Sequence, residues 1–249
     1  MGGQEENGVE GGAELSLSVQ AQNKAARDRA ALEDEQVELL KAPLWLNDMC
    51  IEIWLENMMD EVVPDDRSDV CFISPSSMAM LNFGLTSEYF VTDWKGLELP
   101  SKALTLMPIN DNVEEKVGGS HWALLAYFRP LNTFRMYDSM GTNLRAQAEK
   151  AASELSKTFQ ADNARFEIES DSPRQTNAYD CGAYVCVLAS ELARCFILNQ
   201  RLMRKDDLQA ITPEVVRQRR AAMWEVAKRD RQARGGTALR VWKSRGCPC

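Results

Sequence analysis

The stretch QTNAYDCGAYVC, residues 175–186, sets a cysteine at the mouth of an apolar run instead of inside it. Cys181 stands between Asp180 and Gly182 and begins CGAYVCVLASELARCFILN, whose length and apolar content predict a long central helix. A helix N-terminus carries free N–H groups and partial positive charge. Both favour the thiolate, the nucleophilic form of cysteine. Asp180 is the expected N-cap, and Gly182 leaves space beside the thiol. The competing reading of any such cysteine is a small buried residue, and that is how Cys186 and Cys195 are read.

A thiol nucleophile needs a base. The chain has a single histidine, His121, so a Cys–His mechanism would have no other choice. A lone histidine is more often structural, but here its uniqueness forces the assignment. An imidazole base in turn needs an acceptor that orients it. HWALLAYF and FRMYDS read as two strands of a hairpin turning at RPLNT. Facing residues of a hairpin keep a nearly constant index sum, so Asp138 falls opposite His121 or within a few positions of it. Asp138 could equally cap the turn at SMGTN. Acyl transfer also needs an oxyanion site. The Cys181 N–H is one donor, and the side-chain amide of Gln175 is a second if the TNAYD loop folds back.

The surrounding elements must hold these groups together. WLNDMCIEIWLENMMDEV repeats Ile51, Trp54, Leu55 and Met58 at helical spacing, with Asn47 or Asp48 as cap. VCFISPSSMAMLNFG predicts a short strand, a turn and a short helix. KALTLMPIN is a strand, INDNVEEKVGGS a polar loop, and HWALLAYF a strand buried on both faces. LRAQAEKAASELSKTF is an amphipathic helix, ARFEIES a further strand and TPEVVRQRRAAMWEVAKR a last helix. The mixture predicts an α+β fold.

Composition narrows the function classes. Hydrophobic residues make up 45% of the 249 and charged residues 27%, which suits a globular domain with a sizeable core. No apolar run is taken as reaching the ~18 residues of a membrane span. The net charge is −8, although residues 217–249 are basic, so the rest is strongly acidic and suits a basic protein partner better than nucleic acid. The basic tail lacks the interleaved aromatics of a stacking platform. The seven cysteines show no framework spacing, and reduced thiols in the cytosol or nucleus are expected. Cys247 and Cys249 are too close for the usual zinc-ligand gap, so no metal is expected. Residues 1–33 read as an acidic, partly disordered extension, 34–225 as the catalytic domain and 226–249 as a basic, flexible tail. The ARGG at 233–236 reads as part of a flexible linker.

The motifs GGSHWALLAY, MYDS and QTNAYDCGAYV, with WLND near the start, resemble the sentrin/SUMO-specific cysteine protease family, whose members process ubiquitin-like modifiers. His121, Asp138, Gln175 and Cys181 come in that family's order. The resemblance covers about residues 34–225. It implies a papain-like cysteine protease fold of the ubiquitin-like-protein protease type, with a central mixed sheet, flanking helices and the cysteine at the start of a buried helix. It implies no cofactor. FISP and the INDN loop before GGSHWALL look most like the deneddylase branch, which acts on the NEDD-type modifier. By the same resemblance Trp45 and Trp122 would form a channel for a Gly-Gly tail, with Asp48 close by. Asn110, Asp111 and Asn112 would contribute to modifier binding. Trp54 reads as core. The partners so implied are the modifier and its conjugates, such as cullin-like proteins, with no membrane or specific nucleic acid and a monomeric enzyme. A SUMO-directed protease, a Cys–His acyltransferase of related fold and a non-catalytic modifier-binding module are the alternatives.

Overall fold

The computed structural model describes residues 36–64, 67–84, 97–113 and 118–233. The expected disordered extension, the Glu114–Glu115 part of the polar loop, the ARGG glycines and the terminal cysteines lie outside them.

Five strands form one sheet whose spatial order follows the chain: β1 Val70–Phe72, β2 Leu104–Asn110, β3 Trp122–Phe128, β4 Thr133–Tyr137 and β5 Arg165–Ile168. The central pairs β2–β3 and β3–β4 are antiparallel, and the outer pairs β1–β2 and β4–β5 are parallel. Parallel neighbours need a crossover. Helix α2, Pro75–Asn82, lies on the first connection and α3, Arg145–Thr158, on the second. Further helices among the described residues include α1, Asp48–Val62; α4, Cys181–Asn199; a short α5, Lys205–Gln209; and α6, Pro213–Ala233. This is the mixed sheet with flanking helices that the family resemblance implies.

Strand periodicity divides the core in two. Leu124 and Ala126 of β3 face a cluster built with Leu55 of α1, Leu188 of α4 and Val216 of α6. The intervening Ala123, Leu125 and Tyr127 face a second cluster with Met78 of α2 and Leu155 of α3. Strand β3 is buried on both faces, as its unbroken apolar run demands. Trp54 packs in the first cluster.

Three expectations change. Helix α4 is 19 residues long with mean hydropathy 1.6, enough by length and composition to cross a membrane, yet 72% of that window is buried inside the protein. Its apolar content serves the core. Helix α6 runs to Ala233, so residues 226–233 are helical and not the start of a flexible tail. Lys, Arg, Gln and Ala are good helix formers, and no breaker comes before Gly235. Cys195 is half-buried, whereas Cys186 is fully enclosed.

Candidate active site

His121 immediately precedes β3 and Asp138 immediately follows β4. The hairpin register pairs Leu124 with Tyr137, which sets Asp138 two positions off the residue facing His121. The side chains meet along this diagonal, with His121 Nε2 2.7 Å from Asp138 Oδ1. Both are buried, at 4% and 1% exposure. Asp138 also takes the turn role. Its Oδ1 accepts from the Met140 N–H at 2.8 Å and its Oδ2 from the Leu144 N–H at 3.5 Å. The SMGTN turn thus fixes the carboxylate that fixes the imidazole.

Burial opposes the charged form of His121, but hydrogen bonding to Asp138 and the nearby Cys181 sulfur outweigh it and hold the imidazole up at about 9. Burial likewise works against the Asp138 carboxylate. The His121 contact and the Met140 N–H overcome it and keep the group below its usual value. His121 Nδ1 has no hydrogen-bond partner among the described residues. The ring therefore has one nitrogen committed to Asp138 and one available to a thiol.

Cys181 is the first residue of α4 and is 4% exposed. Asp180 precedes it as the cap residue, but its side chain makes no capping hydrogen bond. This corrects the sequence expectation. The carboxylate is taken instead by Arg220 Nη1 at 2.7 Å and Asn177 Nδ2 at 2.7 Å. Gly182 is needed for packing. A Cβ there would stand 2.9 Å from Leu46 Cβ, too close for either to stay in place.

Gln175 lies on the loop leading to Cys181. Its Oε1 accepts from Ser139 Oγ and its Nε2 donates to the Asn177 carbonyl, both at 2.6 Å. The amide is oriented from both ends, and its second N–H hydrogen remains to serve as a donor. Ser139 follows Asp138 directly, so one short segment orients both the imidazole and the amide. The serine was visible in MYDS, yet nothing in its type marks it as a positioning group.

The loop residues have internal partners. Asp111 Oδ1 accepts from the Ser120 N–H at 2.6 Å and the His121 N–H at 3.1 Å, and Oδ2 accepts from Ser120 Oγ at 2.6 Å. Asn110 is buried, donates from Nδ2 to the His121 carbonyl at 3.1 Å and accepts from the Asn112 N–H at 2.7 Å. Gly119 has φ +94°, and a Cβ there would lie 2.1 Å from Asn110 Oδ1. Asn110 and Asp111 therefore anchor the approach to His121. The Asp111 carboxyl sits below its usual value because the bonds from Ser120 and the His121 N–H outweigh burial. A depressed carboxyl stabilises the fold above its unfolded pKa, and that contribution is lost as pH falls through the folded value. The anchor thus holds at neutral pH and fails in acid. Asp111→Ala is expected to lower kcat at pH 7 by about tenfold or more through misplacement of His121. Asp111→Asn, which keeps one acceptor oxygen, should stay within a few-fold of the parent. Parallel steady-state assays check this.

Trp45 is 52% exposed, and Leu44 and Met49 beside it are 44% and 39% exposed. Trp122 is half-buried, and its indole N–H donates to the Leu46 carbonyl at 3.0 Å. Leu46 thus links Trp122, the strand before which His121 stands, to Gly182 beside the cysteine. Asp48 is exposed in the first turn of α1, whose N-cap is Asn47, accepting from the Cys50 N–H at 3.0 Å. Among the described residues no His, Cys, Asp and Glu cluster is arranged to hold a metal.

Arg220 is a further residue at the site that its type alone does not announce. It appears as one charge in VVRQRR, but the buried positions Val216, Met223 and Ala227 of α6 place residue 220 on the same inward stripe. That register was the available signal.

Residues 44–223 match the family model for the Ulp1 protease family, C-terminal catalytic domain. Mouse sentrin-specific protease 8 is 32% identical over 192 residues, covering 76% of this chain and 85% of that protein. The NEDD8-specific protease 1 of Arabidopsis thaliana is 32% identical over 66% of this chain and 73% of its own length. Among solved structures, the Ulp1 protease domain in complex with SMT3, the yeast ortholog of SUMO, superposes with a TM-score of 0.53 at 23% identity, covering 78% of this chain and 81% of that one. That likeness concerns the fold. With a family match across most of its length and relatives above 30% identity, this chain belongs to the Ulp1 protease family and is a cysteine protease.

Proposed function

We propose that this protease cleaves the amide bond after the terminal Gly-Gly of a NEDD-type ubiquitin-like modifier, releasing it from conjugates such as cullin-like proteins or trimming its precursor. The observation that carries the chemistry is the buried His121–Asp138 pair, whose remaining ring nitrogen is unpartnered and influenced by the Cys181 sulfur. The cysteine thiolate attacks the carbonyl of the last glycine and a C–S bond forms. The Cys181 N–H and Gln175 Nε2 donate to the oxyanion. Imidazolium His121 gives its proton to the leaving amine as the C–N bond breaks, leaving a thioester. Water then loses a proton to His121 and attacks that thioester, releasing the modifier carboxylate and the thiolate. Asp138 keeps the imidazole oriented throughout.

Support for the NEDD type comes from the likeness to the NEDD8-specific protease 1 of Arabidopsis thaliana, at 32% identity. The anchored Asn110–Asp111 loop beside His121 is the element in this reading that tells modifiers apart, with Trp45, Trp122 and Asp48 along the path of the tail. A monomer acting in cytoplasm or nucleus accords with it. The test compares kcat/KM on fluorophore conjugates of NEDD-type, SUMO-type and ubiquitin-type modifiers. A preference of at least tenfold for the first is expected, and equal or greater turnover of the SUMO-type conjugate would transfer the assignment to that modifier.

Gln175→Ala removes one oxyanion donor. Such a loss typically costs about 2.7–4 kcal/mol of transition-state stabilisation, or ~10²–10³ in rate. The fall should appear in kcat with little change in KM. A change confined to KM would make Gln175 a binding residue.

A further inference from the structure

We propose that Arg220 is the positioning residue that holds the nucleophile's loop and the substrate-side strap in register, a role that rests on Cys181 being the nucleophile. Arg220 is 1% exposed on α6, far along the chain from every other site residue. Its Nη1 donates to Asp180 Oδ1 at 2.7 Å and to the Tyr179 carbonyl at 3.4 Å. Its Nε donates to the Leu40 carbonyl at 2.8 Å, and its Nη2 to the carbonyls of Leu39 at 2.9 Å, Lys41 at 3.4 Å and Leu44. One planar guanidinium thus joins two segments.

Each segment leads to the site. On one side Asp180 precedes Cys181, and a chain of hydrogen bonds continues from it. Asn177 Nδ2 donates to Asp180, Gln175 Nε2 donates to the Asn177 carbonyl, and Ser139 Oγ donates to Gln175. On the other side residues 39–44 run into Trp45 and Leu46. The Leu46 carbonyl receives the Trp122 indole, and the Leu46 side chain packs against Gly182. A fork with five fixed N–H donors can serve both segments at once, whereas an ammonium has three donors at one point. The buried carboxylate explains the arginine's charge, and the strap carbonyls explain its shape.

The two sides separate in kinetics. Asp180→Asn turns an acceptor toward Arg220 only by presenting its amide nitrogen to the Asn177 amide, so it breaks the relay and leaves the strap in place. It should lower kcat about 10- to 100-fold, the scale of a small misplacement of reacting groups, with KM unchanged within about threefold. Arg220→Lys keeps the charge but cannot reach both segments. It should lower kcat similarly and also raise KM about fivefold or more. The experiment measures both constants on the NEDD-type conjugate at a temperature where circular dichroism shows each variant folded. It also measures the rate at which iodoacetamide alkylates Cys181, which needs no modifier. Slower alkylation in both variants, by about threefold or more, is expected. Parental kcat, KM and alkylation in folded Arg220→Lys would overturn the proposal and leave Arg220 a purely structural residue. If that variant does not fold, unchanged kcat and alkylation in Asp180→Asn would overturn it equally. A parent that ignores the conjugate while its variants alkylate slowly would remove the modifier assignment and leave Arg220's role standing.

Discussion

Replacing Cys181 by alanine is expected to reduce turnover by about 10⁴-fold or more while leaving modifier binding intact. The magnitude follows from removing the only group that forms the covalent intermediate. The binding should survive because Cys181 lies at the start of α4, and the exchange deletes one sulfur without touching the Leu46–Gly182 contact or the Asp180–Arg220 pair. Neither Cys50 nor Cys186 offers a substitute. Burial pushes the Cys50 thiol up to about 11 and the Cys186 thiol well above its ordinary value, so neither supplies a ready thiolate. Catalytic rates with parallel calorimetric binding separate the two effects. Turnover near the parental rate would remove Cys181 from the mechanism.

The second large effect concerns Asp138 and pH. His121 titrates near 9 in the folded protein against an ordinary 6.5. A raised imidazole pKa stabilises the fold fully below the unfolded value, and that contribution disappears as pH rises through the folded one. The same proton is the one delivered to the leaving amine. The kcat/KM profile should therefore fall on its alkaline side with an apparent pKa near 9. Asp138→Asn removes the negative charge beside Nε2 and leaves one acceptor oxygen where the carboxylate has two. The alkaline limb should then move down toward the ordinary histidine range, and kcat at pH 7 should fall by about 10²–10⁴, since the same change in a Ser–His–Asp triad costs about 10⁴. An unmoved limb would mean that another group controls it.

The site was legible in the sequence where chemistry imposes residue type and topology imposes distance. Cys181 stands out as the candidate nucleophile by its place at the edge of an apolar helix, and the single histidine leaves no other candidate base. The Asp138 contact followed from hairpin arithmetic, because a tight turn fixes register over a few residues. The elements were readable for a related reason: β3 is apolar throughout because it is buried on both sides, and α3 alternates at helical period because one side faces solvent.

What stayed hidden depends on contacts between distant parts of the chain. Asp180 carries the type expected of a cap, but a carboxylate beside a buried guanidinium pairs with it, and the pairing spans 40 positions. Asn110 and Asp111 look like exposed polar residues, yet their side chains bind the backbone of His121. Arg220 was concealed by its neighbours Arg217 and Arg219, which are exposed. Only the register of α6 distinguishes the inward arginine from the outward ones.

The most direct test of the mechanism is capture by a NEDD-type modifier whose terminal carboxylate is replaced by a propargyl amide. A thiolate held at the mouth of α4 beside His121 should attack it and form a stable adduct. Peptide mapping of that adduct is expected to place the modification on Cys181 alone, with the yield lost in Cys181→Ala and strongly reduced in His121→Ala. An adduct on any other cysteine, or reversible binding with no adduct by the parental protein, would contradict the account.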